Sequence, residues 1–211
     1  MSQSASEEAV GAAHELLLRF AGRLPDRQLW RFRDWLAAGT MDALASTLPL
    51  TLLRERIAIT VTESALLNRA FLDVGADPSR LSAVPWVDEL PELDHSFTAE
   101  APEWVRLGDS IAVVLGAVLE GRPEVLEVRG TWRRYRSAAN SATRVLLVTA
   151  SSGCVALTGE LQRVLRALGT HEPMVEVLPQ AMISGGQLPT YHRTALASSE
   201  PLLAGRLAAH G

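Results

Sequence analysis

The sequence has no lysine: all twenty basic residues are arginine. With its many Ala, Leu, Gly and Val residues, this bias points to a GC-rich genome such as an actinobacterium's and carries little about function. Cysteine occurs once, at position 154. A single thiol excludes an internal disulfide. It also leaves a Cys/His metal cluster without its main ligand, because the five histidines (14, 95, 171, 192 and 210) are scattered. We therefore expect no metal. No basic segment followed by an apolar stretch opens the chain, so no secretory signal is expected. The longest apolar run, residues 111–119, is far shorter than the ~20 residues that a membrane helix needs. The expectation is a cytoplasmic protein with no membrane partner.

The remaining composition suits a folded chain. The 211 residues are 47% hydrophobic and 21% charged, with a formal net charge of −4. That is enough apolar material for one large domain or two small ones. The charge is uneven. Residues 1–80 hold nine Arg and ten acids, residues 81–121 one Arg and eight acids, and residues 122–211 ten Arg and six acids. An acidic middle beside a basic C-terminal part suggests pairing within the chain or across a subunit interface.

Periodicity divides the chain into a helical domain (1–80), an acidic, proline-containing connector with a short strand (81–108) and an α/β domain (109–211). In the first, Val10, Ala13, Leu17 and Phe20 recur at helical spacing. Pro25 opens a second helix that carries Leu29, Phe32 and Leu36 and stops at Gly39. A third helix follows Thr40, with Pro49 expected to break or restart it. Thr60 and Glu63 form a capping box before Leu67, Ala70 and Phe71, and Gly75 stops that helix. The connector holds Asp88, Glu89, Glu92, Asp94, Glu100 and Glu103; it reads as a solvated acidic segment with a strand near 96–99. Beyond it we expect a helix capped by Asp109 through Leu119, a strand over 124–136, a strand over 144–150, a helix over 154–168, a strand over 174–178 and a last helix from Pro189. The near-continuous apolar run at 144–150 implies burial on both faces. The predicted class is α+β: a helical bundle followed by a βαββαβ domain, either ferredoxin-like or a small open α/β sandwich.

Three segments carry the possible chemistry. The run V-T-A-S-S-G-C-V, 148–155, stands where a strand meets a helix, so backbone N–H groups at the helix start suit an anion. It resembles the short-chain dehydrogenase turn V-T-G-A-S-S-G-I-G over about eight residues, and that resemblance implies a dinucleotide. The run departs from the family where the glycines matter, with Ala150 for the first and Val155 for the last. The Tyr-x-x-x-Lys pair of the family is also missing. We therefore expect no cofactor and an ordinary strand-to-helix turn capped by serine, with Ser151, Ser152, Gly153 and Cys154 as an anion-site candidate or, less favoured, a small catalytic site. Cys154 would need a base, His171 or His192; without one it reads as a small buried hydrophobe.

The second segment is R-G-T-W-R-R-Y-R, 129–136. Arginines interleaved with aromatics suit single-stranded nucleic acid, and Arg129, Trp132, Arg133, Arg134, Tyr135 and Arg136 are the interaction candidates. On a strand they alternate, with Arg129, Thr131, Arg133 and Tyr135 on one face and Gly130, Trp132, Arg134 and Arg136 on the other. The competing reading is a charge-protected edge strand with Trp132 in the core. Third, residues 111–119 are apolar nearly all round, more than one buried stripe requires. Trp30, Trp35, Trp86 and Trp104 read as core or domain-junction residues, and His14 as a boundary residue. Since no catalytic set emerges, the leading expectation is a non-enzymatic adaptor or regulatory module acting through a protein partner or self-association. Anion binding or catalysis at the turn, and nucleic-acid binding at the arginine strand, are the alternatives.

Overall fold

The computed structural model describes residues 2–101, 110–136, 142–169 and 175–202, with side chains from residue 6 and none for Ser110. The expected Asp109 cap, Glu103, Trp104, His171, Met174 and His210 lie outside the described residues. The chain divides into two compact units, residues 1–93 and 94–211.

The first unit is helical. It contains α1 (Ser2–Arg19), α2 (Asp26–Ala37), α3 (Met41–Arg54), α4 (Val61–Phe71) and the short α5 (Pro78–Ser82). Of the expected stripes, Ala13, Leu17 and Phe20, then Leu29, Phe32 and Leu36, then Leu67, Ala70 and Phe71 are buried, while Val10 is only half-buried; α3, for which the sequence reading named no stripe, adds Leu44, Leu48 and Leu52. Each such Leu or Phe side chain contributes about 1.5–3 kcal/mol on leaving water. The capping box is complete: the Thr60 hydroxyl accepts from Glu63 N at 3.3 Å, and the Glu63 carboxylate accepts from Thr60 N at 2.9 Å. The same carboxylate takes Arg23 Nη1 at 2.5 Å, and Arg23 also donates to Ala58 O. One expectation fails, because α3 runs through Pro49 without breaking. Proline removes one donor and crowds the preceding turn, at about 3 kcal/mol, a cost set against the burial of Pro49 alongside Leu48 and Leu52. His14 is buried too, rather than lying at a boundary.

The second unit is α/β. Its order is β1 (His95–Thr98), α6 (Ser110–Leu119), β2 (Val125–Tyr135), β3 (Ala142–Ala150), α7 (Cys154–Ala167), β4 (Val175–Pro179), α8 (Gln180–Ser184), α9 (Thr190–Ala197) and β5 (Glu200–Pro201). The expected βαββαβ order is present, and α8 and β5 are additions to it. The sheet order is β1-β2-β3-β4, with β1–β2 and β2–β3 antiparallel and β3–β4 parallel. Since β3 and β4 are direct neighbours, the βαβ unit through α7 is not split as in a ferredoxin-like fold; the open α/β arrangement describes this domain. β3 is buried along Val145, Leu146, Leu147 and Val148. Strand β2 is not an edge: β3 lines one side, and β1 and β5 share the other. The arginine-rich segment is therefore interior, which corrects the edge-strand reading. Among the described residues no helix is long and apolar enough to cross a membrane.

Candidate functional site

At the turn between β3 and α7, Ser151 and Ser152 are exposed and Cys154 is half-buried. Gly153 adopts φ +66° at the helix N-cap, and no side chain caps the helix. The expected serine cap is absent for a geometric reason. Ser151 turns away from α7, and both its N–H and its hydroxyl donate to Glu124 O, at 2.8 and 3.3 Å. Burial raises the Cys154 thiol above its ordinary value. That is opposite to the shift that activates a thiolate.

Registry separates this turn from His192. Glu176, the partner of His192, pairs with Leu147, while Ala150 pairs with Pro179. Three residues of strand place the turn roughly 10 Å further along. Ser152 is exposed and His192 is sealed from solvent. The structure does not bring Ser152, Cys154 and His192 together into one site.

The arginine strand divides as alternation requires. Paired positions share a face, so the registers Phe97↔Arg133, Thr131↔Val145 and Leu147↔Glu176 assign Phe97, Arg133, Thr131, Val145, Leu147 and Glu176 to one side of the sheet. Arg133 is fully buried there. Its Nη1 donates to Tyr191 OH at 3.4 Å, and its guanidinium stacks over Tyr135 at 4.9 Å. On the other face Trp132 is buried and lies 5.5 Å from the Arg144 guanidinium, whose pKa desolvation lowers. Arg129 bonds Glu127 and Ser199. Arg134 and Tyr135 are half-buried and Arg136 is exposed. The six candidates thus form no single open surface: Arg133 and Trp132 are structural, and only Arg136 is well presented to solvent.

By sequence, Tyr191-His192-Arg193 after the Gly-Gly loop could shape a pocket or equally be a helix beginning with Pro189; the sequence did not tie it to Glu176 and Arg133. On the face that holds Arg133, helix α9 lays Tyr191 and His192 over the strands. Tyr191 meets His95 at 5.1 Å and Phe97 at 5.0 Å, edge to face. His192 Nε2 lies 2.9 Å from Glu176 Oε2, while Nδ1 has no hydrogen-bond partner among the described residues. Glu176, Arg133 and His192 are all buried. A carboxylate holding an imidazole is the pairing that orients a general base. Such a base must reach a substrate proton, and this imidazole is closed to solvent, so the pairing organises a polar core. One signal in the sequence was available: Glu176 is the lone acid in the apolar strand V-E-V-L, and such a charge needs a buried partner.

Helix α6 differs in kind. It has no charged residue, and of the nine residues 111–119 only Leu115 and Leu119 are buried. Val113 is 72% exposed, Ala117 is exposed, and Ile111, Val114 and Val118 are half-exposed. Its C-terminal turn is fixed by Arg122, whose Nε donates to Val118 O at 2.9 Å and whose guanidinium pairs with Glu160 on α7. Trp86, expected at a core or junction, is 64% exposed, whereas Trp30 is buried.

No group of three or more metal-ligating side chains occurs among the described residues. No family model, curated protein or solved structure matches this chain.

Proposed function

We propose that this chain is a cytoplasmic protein-interaction module, and that α6 is its contact surface, joining it first to a second copy of itself. The observation that carries this reading is the exposure of α6. An amphipathic helix needs one apolar stripe; α6 is apolar around its whole circumference and buries only the Leu115–Leu119 side. Exposed apolar surface held on a rigid element is costly in water and is relieved by association. Glu120, Arg122 and Glu160 stand at the C-terminal end of the helix. They supply the charged rim that typically surrounds an apolar contact.

The test is light scattering at low micromolar concentration. Wild-type chain is expected to associate and to melt at a temperature that rises with protein concentration, whereas Val113→Glu, which places a charge at the most exposed position, should give a folded monomer whose cooperative melt does not depend on concentration. A wild-type chain that is strictly monomeric, with Val113→Glu behaving identically, refutes self-association through α6.

A further inference from the structure

The edge of β2 that faces away from β3 is covered in two parts. β1 pairs with it from Trp132 to Tyr135, and β5 continues the coverage at Arg129 and Gly130. Without β5, the edge around residues 128–131 would present unpaired N–H and C=O groups, and such an edge is a template for an added strand. The segment that covers it is slight. Only two residues pair, both are exposed, and one is Pro201, which has no N–H to give.

Its fastening is mostly polar. Arg129 donates from Nε to the Ser199 hydroxyl and from Nη2 to Ser199 O, each at 2.7 Å. The Thr131 hydroxyl lies 2.8 Å from Ser198 O and 3.1 Å from Thr98 O, at the junction of the two covering strands. Leu202 N donates to Val128 O at 2.9 Å. One apolar contact completes the set. The three atoms nearest to a Cβ built at Gly130 all belong to the Leu202 side chain, at 2.9–3.0 Å. Gly130 therefore leaves a notch in β2 that Leu202 fills.

We infer that residues 198–202 are a displaceable strap over a strand-addition site on β2, and that the same site receives an extended peptide segment of a partner protein with an aliphatic side chain for the notch above Gly130. The strap itself defines the chemistry of the occupant. Main-chain bonds pair with 128–130, a carbonyl and a hydroxyl meet Arg129, and a leucine-sized group sits on the glycine. This inference does not depend on the role proposed for α6.

The probe is a fluorescein-labelled peptide with the sequence of residues 197–203, titrated into the full chain and followed by anisotropy. Leu202→Gly empties the notch and leaves β2 intact, so this variant should bind the peptide at least ten-fold more tightly than wild type. Adding Gly130→Val to Leu202→Gly refills the notch from β2 and should abolish that binding. Absence of binding to Leu202→Gly, or equal binding to wild type and Leu202→Gly, overturns the inference. Hydrogen exchange on the wild-type chain gives an independent reading. The Leu202 amide should exchange at least a hundred-fold faster than the amides of β3. Equal protection would mean that the strap opens only on global unfolding, and would overturn the proposal as well.

Discussion

His192 Nε2 lies 2.9 Å from Glu176 Oε2, and both side chains are buried. Removing the carboxylate leaves a buried imidazole without its hydrogen-bond partner, at about 1–3 kcal/mol. Glu176→Ala is expected to cost that much in urea unfolding. Glu176→Gln keeps the shape and a neutral hydrogen bond and should cost less. If the two substitutions prove equally mild, the pair contributes little to the second unit.

Arg133 and Arg136 are neighbours in the arginine-rich run but differ in environment. Arg133 is buried between Tyr135 and Tyr191, whereas Arg136 is exposed. Arg133→Ala should destabilise by about 2–4 kcal/mol through lost hydrogen bonding and packing in the core. Arg136→Ala should stay within about 0.5 kcal/mol. Anisotropy with single-stranded RNA checks the nucleic-acid alternative separately. A salt-dependent affinity that falls on Arg134→Ala with Arg136→Ala, the first half-buried and the second exposed, would revive it.

Cys154 is half-buried and desolvation raises its thiol pKa. Alkylation by iodoacetamide at pH 8 should therefore be slower in the native chain than in urea. The linkage sign follows from the same shift. A raised folded-state pKa means that the folded chain holds the proton more tightly, so this contribution is complete below the unfolded thiol's pKa and is lost as pH rises through the folded one. Wild type should lose stability relative to Cys154→Ala at alkaline pH and not at neutral pH. A Cys154 that reacts faster in the folded protein would contradict the environment described.

Arg56 has φ +56°, the one positive φ outside glycine among the described residues. It follows α3, where Ile57 N returns to Leu52 O at 2.8 Å. Helices commonly end on a left-handed residue of this kind, and glycine adopts it without strain. Arg56→Gly should therefore stabilise the first unit by about 0.5–1 kcal/mol. A thermal melt decides it, and a lowered midpoint would show that the exposed arginine side chain makes a contact worth more than the strain.

The sequence by itself determined the elements. The apolar stripes of α1, α2 and α4, the Thr60–Glu63 box, the buried run of β3 and the amphipathic face of α7 are local patterns, set by residues within a turn or two of one another. The alternation of Arg129, Thr131, Arg133 and Tyr135 against Trp132 and Arg134 was legible too, because side chains on any strand alternate. Tertiary structure alone decided what those faces meet. Whether Arg133 reaches solvent depends on α9, which lies 58 residues from it at Tyr191. Whether β2 is an edge depends on β1 and on β5, drawn from opposite ends of the unit. The pairing of β3 with β4 that makes the sheet open, the sealing of His192 over Glu176 and the seating of Leu202 on Gly130 all join distant segments. Local periodicity selects which face of an element is apolar; only the folded arrangement selects its partner, because many partners satisfy the same periodicity and packing admits one.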